Sequence, residues 1–123
     1  MTVTLCVLLW PHDGREAGLV DYEDRVLPLV AAHGGTVICR VRDGAGASDE
    51  DPYEVQILQF PTEQAFGLYM HDERRAALSE QRDAAIARTR VRRVDVIATP
   101  AAIANRSRAA RSSASGNRTP GGL

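Results

Sequence analysis

The stretch Glu54–Leu78, EVQILQFPTEQAFGLYMHDERRAAL, decides the fold of this chain. The segment Tyr53–Phe60, which begins one residue before this stretch, alternates polar residues with β-branched and aromatic ones, and this pattern predicts a strand. The Pro-Thr pair at the end of that strand predicts a corner, and Thr62 is a favourable N-cap for a short helix to about Met70. A strand that passes through a corner into a capped helix therefore occupies this stretch, and the other segments are expected to supply its partners.

Three further segments have strand-like sequences. Val3–Trp10 is apolar on both faces, which is typical of a central strand that is covered on both sides. Thr36–Arg42 and Val91–Ala98 alternate in polarity and are the predicted second and fourth strands. An acidic, Gly-rich loop, Asp43–Pro52, separates the second strand from the third.

Two helical regions lie between these strands. The first is predicted to begin at a capping-box-like pair, Asp13 and Glu16, and to run to about His33 with a bend at Pro28. The second is predicted to run from an N-cap at Asp72 to about Arg88.

The resulting order of elements predicts an α+β ferredoxin-like βαββαβ fold, an antiparallel four-stranded sheet with helices on one face. The first and third strands are central, so the strands that hold Cys6 and Cys39 are not neighbours and no disulfide is expected between them. The two cysteines are expected to be buried thiols, and they lack metal-ligand spacing. We expect the helix-free face of the sheet to carry mixed side chains that suit a protein partner: Ile38, Arg40, Gln56, Leu58, Phe60, Asp95 and Ile97.

Charge and composition exclude several classes of function. Residues 1–98 hold 11 arginines and all 16 acids, so their net charge is −5 and nucleic acid is an unexpected partner. The chain has no lysine, which excludes Schiff-base chemistry. No apolar run approaches a membrane span and Met1–Trp10 lacks a basic leader region, so a cytoplasmic location is expected. Residues 99–123, rich in Ala, Ser, Arg and Gly, are predicted to be a disordered basic tail, and residues 1–98 a single domain.

Two segments also carry a family resemblance: YEDRVLPLVAAHGG at residues 22–35 and FPTEQA at residues 60–65. With Tyr69-Met70, the break at His71–Glu73 and Arg82, they resemble a small bacterial domain-of-unknown-function family of dimeric α/β-barrel proteins. That superfamily also holds antibiotic-biosynthesis monooxygenases, haem-degrading enzymes and polyketide cyclases. The resemblance spans about residues 3–98, and it implies a homodimer that packs sheet to sheet into a barrel. It also implies a pocket between the helices and the sheet of each subunit.

The motifs of several enzyme classes are absent from the sequence. It has no phosphate loop, no dinucleotide fingerprint and no HExxH motif, and neither Ser48 nor Ser79 has the context of a nucleophile elbow. No asparagine precedes Asn105, which counts against the monooxygenases and haem degraders that use one. Proton transfer and charge stabilisation without a cofactor or metal remain, so we expect a cyclase, isomerase or decarboxylase that acts on a small hydrophobic or aromatic metabolite.

Seven residues are candidates for this chemistry. The candidate catalytic residues are His71, at the break between two helices, with Tyr22 and His12. The candidate substrate-binding residues are Trp10, Tyr69, Arg82 and Arg40. Each also has a structural interpretation, such as a hinge histidine at position 71 or a dimer-interface ion pair between Arg40 and Asp95. Three other functions stay open: a non-catalytic homodimer that binds a small molecule or a protein, a cofactor-free monooxygenase, and a protein whose basic tail tethers an acidic partner.

Overall fold

The structure is a computed structural model that describes residues 2–44 and 48–98. The predicted tail, residues 99–123, lies outside the described residues, as does part of the loop between the second and third strands. The elements are β1 (Val3–Pro11), α1 (Glu16–Val26), α2 (Pro28–Ala32), β2 (Thr36–Arg42), β3 (Glu54–Phe60), α3 (Glu63–Met70), α4 (Glu73–Ala76), α5 (Ser79–Ala85) and β4 (Ile86–Arg93).

The four strands form one antiparallel sheet in the order β2-β3-β1-β4, which confirms the predicted ferredoxin-like α+β fold. Within the described residues this sheet is open and does not close into a barrel. Because β3 lies between β1 and β2, Cys6 and Cys39 are both free thiols, as predicted.

The core lies between the sheet and the helices. Alternate residues of β1 face the helices because side chains along a strand point to opposite faces in turn. They pack against the inner stripe of α1 and against the aromatic residues of β3 and α3, and Phe60 is fully buried at their centre. The buried set includes Val3, Leu5, Val7, Leu9, Leu19, Tyr22, Val26, Leu58, Phe60 and Tyr69.

The composition predicted for the helix-free face is wrong. Leu58, Phe60, Gln56 and Glu54 are all buried beneath the helices, and Arg40 pairs in register with Gln56 on that same side. The polar side chains predicted an exposed or partner-facing surface. In the structure, however, Arg40 and Gln56 both donate hydrogen bonds to Glu54 on the helix side of the sheet.

The opposite side of the sheet, here called the open face, is instead mainly apolar at its centre. Its residues are identified by their cross-strand pairing, since paired residues share a face. Along the edge strand β4 this face carries a row of arginines, and Cys39 on it is exposed while Cys6 is half-buried, so the prediction of two buried thiols is wrong. The open face comprises Cys6, Leu8, Trp10, Cys39, Val41, Val55, Ile57, Arg88, Arg90 and Arg92.

The predicted bounds of the last helix and strand are also wrong. The helix predicted from Asp72 to Arg88 is two short helices, and β4 begins at Ile86, so Asp95 and Ile97 lie beyond the strand. The segment Ile86–Arg93, IARTRVRR, pairs with β1, although its first residues fall within the predicted helix. Its β-branched residues Ile86, Thr89 and Val91 are typical of a strand, so the predicted start of the strand is too late.

The first helical region differs in two ways from its prediction. It divides at Leu27 into α1 and α2, because Pro28 has no N–H to continue the hydrogen-bond ladder and instead begins a new helix. The predicted capping box at Asp13 is wrong: the N-cap is Arg15, and no side chain caps the helix.

Two glycines after α2 allow the chain to enter β2. Gly34 has a φ of 75°, a left-handed conformation that favours glycine. At Gly35 an added Cβ would lie 2.7 Å from Val30 Cγ1 and 2.9 Å from Phe60 Cδ1. The backbone at Gly35 therefore touches the centre of the core.

We expect Gly35→Ala to lower the free energy of unfolding by about 1–3 kcal/mol, because overpacking at this contact displaces core side chains. The matched control is Gly67→Ala, inside α3, where nothing lies within 4 Å of the added Cβ. That substitution should raise the free energy by about 0.5–1 kcal/mol, since alanine is the better helix former. Urea unfolding of the three proteins measures both effects, and equal stability of wild type and Gly35→Ala would contradict the packing described.

Candidate functional site

A cavity of about 210 Å³ lies between the helices and the sheet. Its apolar walls come mainly from β1, β3, α1 and α3. Its polar groups come from the helices, from the central strand β3 and from the edge strand β4. Met70 and Val91 line it and are 41% and 51% exposed, so its opening lies between the end of α3 and β4. Since a dry cavity of about 150 Å³ accepts benzene, this one has room for a single aromatic ring with a short substituent. The polar lining residues are Tyr22, Glu23, Gln56, Tyr69, Arg75, Arg82 and Thr89.

A buried hydrogen-bond network forms one wall of the cavity. The Gln56 Nε2 donates to Glu23 Oε2 at 2.9 Å and to Glu54 Oε2 at 2.6 Å. Glu54 also accepts hydrogen bonds from Arg40, at 3.0 and 3.1 Å, and from Arg42 Nε at 3.0 Å. Two arginines at the edge of the sheet thus hold Glu54, and Glu54 with Gln56 holds the carboxylate that lines the cavity.

The two carboxylates of this network have different proton affinities. Burial raises the pKa of Glu23 to about 7, with a further rise from the charge of Glu54, although the Gln56 hydrogen bond and the charges of Arg40 and Arg75 oppose it. Glu23 is therefore close to half ionised at neutral pH.

Glu54 is shifted in the other direction. Burial alone would raise its pKa, but the hydrogen bonds from Arg40, Gln56 and Arg42 outweigh that effect and lower the pKa below its ordinary value. Glu54 therefore stays ionised at neutral pH, balanced by two guanidinium groups.

Two tyrosines complete the polar part of the cavity. Burial raises the pKa of Tyr22 and that of Tyr69, so both hydroxyls keep their protons at neutral pH. The Tyr69 ring packs on Phe60 at 5.2 Å between centroids and lies 5.4 Å from the Arg75 guanidinium carbon. Both hydroxyls are thus hydrogen-bond donors in a mainly apolar space.

Two buried polar atoms of lining residues have no hydrogen-bond partner among the described residues: Arg75 Nε and Thr89 Oγ1. The Arg75 guanidinium makes a long hydrogen bond of 3.5 Å from Nη1 to the Met70 carbonyl oxygen, and a side-chain hydrogen bond with Tyr69 opposes the rise in the pKa of that tyrosine. Buried polar groups in folded proteins nearly always have a protein or water partner, so these two atoms are free to bond to whatever occupies the cavity.

The predicted catalytic histidines lie away from this cavity. His71 is exposed at the end of α3, and its Nδ1 lies 2.9 Å from the Gly67 carbonyl oxygen. His12 is exposed after β1, with Nε2 at 3.0 Å from the Asp83 carbonyl oxygen. The third histidine, His33, bonds Asp72 at 2.7 Å and so ties the end of α2 to the break between α3 and α4.

The remaining predicted residues lie in three places: the cavity, the open face and the buried network. Tyr22, Tyr69 and Arg82 line the cavity together. Trp10 lies on the open face, where its Nε1 donates to the Glu50 carbonyl oxygen at 3.1 Å and the guanidinium carbon of Arg88 lies 4.5 Å from its ring centroid.

Arg40 takes part in the buried network described above. Its Nη1 also donates to Asp24 Oδ1 at 2.9 Å. The predicted pairing of Arg40 with Asp95 is wrong, because Arg40 points to the helix side of the sheet and Asp95 lies beyond β4.

Sequence reasoning missed Glu23, Gln56, Arg75 and Thr89. A signal existed for Glu23, which sits four residues after Leu19 and three before Val26 on the apolar stripe of α1. A carboxylate within such a stripe is uncommon unless it is paired or functional. For Arg75 and Thr89 the sequence held no comparable signal.

In residues 2–44 and 48–98, no group of three or more His, Cys, Asp and Glu side chains is placed to hold a metal ion. Of the helices in the same residues, none has the length and apolar character needed to cross a membrane.

Comparison with known proteins identifies the fold. No family model matches the chain, and no curated protein is similar to it. A protein of unknown function from Rhodopseudomonas palustris has a similar solved structure, with a TM-score of 0.64 and 18% identity over 80% of this chain and 84% of that one. Another from Nitrosomonas europaea has a TM-score of 0.55 and 22% identity over 80% and 91% of the two chains. A dimeric protein of unknown function and ferredoxin-like fold from Bacteroides fragilis has a TM-score of 0.59 and 9% identity over 77% and 96%. At these identities the likeness shows the fold alone.

The raised pKa of Glu23 predicts how stability depends on pH. Above its ordinary pKa of 4.5 the unfolded carboxyl is ionised, whereas the folded one keeps its proton until about pH 7. The folded state therefore binds more protons in this window, and its stability should fall by on the order of 2 kcal/mol between pH 5 and pH 8. Glu23→Gln should remove this fall, and the exposed Glu16→Gln on the same helix should retain it. Urea unfolding at several pH values tests this, and an unchanged slope in Glu23→Gln would contradict the assignment.

Proposed function

We propose that this protein is a cofactor-independent acid–base enzyme that moves a proton on a small, mainly apolar carbonyl compound bound between the helices and the sheet. The observation that carries the proposal is the position of Glu23, a buried carboxyl at the cavity wall whose Oε2 is held at 2.9 Å by Gln56. A carboxylate fixed beside an apolar cavity is a suitable general base.

The proposed step is an enolisation. The Glu23 carboxylate removes a proton from the carbon next to the carbonyl group, and the electron pair of that C–H bond forms the C=C bond of the enolate. The carbonyl π electrons move to oxygen, where a hydroxyl of Tyr22 or Tyr69 donates a hydrogen bond. Glu23 then returns the proton: return to the same carbon gives hydrogen exchange, and return to a different carbon of a conjugated enolate gives an isomer, in both cases without a redox partner. A cyclase or decarboxylase would use the same enolate.

The pKa of Glu23, about 7, suits this role, because a general base works best when its pKa lies near the operating pH. Glu23 therefore takes the place that the sequence suggested for His71, while Tyr22 and Tyr69 keep places at the cavity. His12 lines a separate pocket of about 170 Å³ with Trp10 and several acidic side chains, whose polar, acidic lining suits an apolar carbonyl compound less well.

Two other functions use the same cavity. A non-catalytic protein would bind the ligand without proton exchange, and a cofactor-free monooxygenase would consume oxygen. The family that the sequence resembles shares a superfamily with polyketide cyclases and antibiotic-biosynthesis monooxygenases, which supports an enzyme, but the absence of an asparagine before Asn105 counts against the monooxygenase. The unsatisfied polar groups of the cavity support binding in any of the three. Their readouts differ, so one set of assays separates them.

The test follows the exchange of carbon-bound hydrogen for deuterium by ¹H NMR in D₂O, with phenylpyruvate, phenylacetone and acetophenone as probes. We expect wild-type protein to accelerate exchange next to the carbonyl in at least one probe, and Glu23→Gln to lose about 100-fold or more of that rate, as is typical for a general base. Glu16→Gln and His71→Ala should retain it. An oxygen electrode with the same probes tests the monooxygenase alternative.

Three outcomes would contradict the proposal. One is a probe that binds and exchanges equally fast with wild type and Glu23→Gln. Another is loss of exchange in His71→Ala but not in Glu23→Gln, which would move the base to the helix break. The third is a failure of all three probes to bind at millimolar concentration.

We also propose that the working unit is a homodimer formed through the open face. That face has apolar side chains on its two central strands and on the edge strand β2, where Val41 is 54% exposed, and a lone subunit would leave them in contact with water. The similar protein from Bacteroides fragilis is described as dimeric. Two such faces packed together would complete the barrel that the sequence resemblance implies.

Sedimentation velocity tests the dimer. Wild-type protein should sediment as twice the 13.3 kDa subunit, and Val41→Asp should shift it to the monomer because a charge enters the apolar interface. The matched control is Leu68→Asp, since Leu68 is equally exposed at 55% but lies on α3, away from the open face. A monomeric wild type, or dissociation in Leu68→Asp alone, would place the interface elsewhere or exclude it.

A further inference from the structure

We infer that the ligand of the cavity carries a carboxylate-type anionic group, which binds to the Arg75 guanidinium with a supporting hydrogen bond from Thr89. The inference rests on the proposed function for the identity of the site, and it adds the class of substrate: a small apolar carboxylic acid with an enolisable carbonyl group.

Arg75 supplies the first observation. Its Nε is buried and unpartnered, and it makes no ion pair with another residue in the described part of the chain. Arg75 as a whole is half-buried, and its charge acts on Glu23, but the buried Nε–H still lacks an acceptor. The planar fork of arginine matches the two oxygens of a carboxylate, which supplies the missing partner.

Thr89 supplies an independent observation from a different element. It lies on β4, opposite Leu9 in the sheet, and its Oγ1 is buried without a partner at the same cavity. A helix and an edge strand thus each present an unsatisfied donor to one space. Such groups are explained by a bound polar ligand more readily than by packing.

The charge of the cavity favours an anion. Arg75 and Arg82 are its two cationic lining residues, and Glu23 is its one acidic lining residue. The nearby Glu54 adds no net negative charge, because Arg40 and Arg42 both pair with it. The lining side chains themselves therefore carry one net positive charge when Glu23 is ionised, and Arg82 also contacts the exposed Asp83 at 3.5 Å.

The position of Arg75 also suits the proposed chemistry. Its guanidinium carbon lies 5.4 Å from the centroid of the Tyr69 ring, which holds the group by a cation–π contact. An acid anchored there would extend its apolar part over Leu5, Val7 and Leu58. The carbonyl group between these two ends would then lie near the tyrosine hydroxyls and Glu23.

The test compares two ligands of the same shape, phenylacetate and phenylacetamide, by isothermal titration calorimetry at pH 7.5. Wild-type protein should bind the carboxylate about tenfold or more tightly than the amide, because a charge-assisted hydrogen bond is lost with the amide. Arg75→Gln should abolish this preference, and Thr89→Val should reduce it severalfold. The exposed Arg15→Gln, away from the cavity, should keep the wild-type preference.

Two controls separate a folding defect in Arg75→Gln from loss of the anion site. The Arg75→Gln protein should bind phenylacetamide as tightly as the wild type does. Arg75→Lys should restore part of the preference for phenylacetate over phenylacetamide. Equal binding of the two ligands to wild type, or an unchanged preference in Arg75→Gln, would overturn the inference. Glu23-dependent exchange of the neutral phenylacetone would still support the proposed function in that case. Conversely, a preference for phenylacetate with no Glu23-dependent exchange would support this anion site and contradict the enzyme.

Discussion

The site depends on one buried charge, the carboxylate of Glu54 in the central strand β3. Its side chain is fully buried, and an isolated carboxylate in that position would destabilise the fold by several kcal/mol. Arg40 and Arg42 on the neighbouring strand and Gln56 on its own strand donate hydrogen bonds to it. Those bonds fix the amide of Gln56, whose Nε2 then also reaches Glu23 on α1. The position of the cavity carboxylate is therefore a consequence of how Glu54 is neutralised.

The same network separates the roles of its two acids. Glu54 receives two guanidinium groups and stays ionised, whereas Glu23 has one amide donor, an apolar cavity and the Glu54 charge nearby, so its pKa rises to about 7. Two similar groups with pKa values moved apart by their surroundings are a recurrent basis for assigning acid–base roles. Glu54 is the fixed charge that organises the site, and Glu23 is the group that can exchange a proton near neutral pH.

The topology could be predicted from the sequence, but most of the site could not. Strand and helix periodicities, the Thr62 cap and the glycine pair after α2 are local signals, and they were sufficient for the order of elements. Polarity alone assigns Gln56 and Arg40 to the helix-free face of the sheet, whereas both lie on the helix side. Gln56 bonds to Glu54 two residues away, but it also bonds to Glu23, 33 residues away, and Arg40 bonds to Glu54, 14 residues away. No local pattern shows that polar residues so far apart will satisfy one another. Glu23 was the exception, since its place on an apolar helical stripe is a local signal.

The wrong prediction for the last helix bears directly on the cavity. A single helix from Asp72 to Arg88 would lie along the sheet and fill the space above β1 and β4. Instead, Asp72 is held by His33 and caps α4, the helix breaks again before Ser79, and the chain from Ile86 onward joins the sheet. Two short helices then cover less of the sheet than one long helix would, so Val91 on the helix side of the edge strand remains half exposed. The breaks that made this region hard to predict are thus the same features that leave room for a ligand beside Glu23.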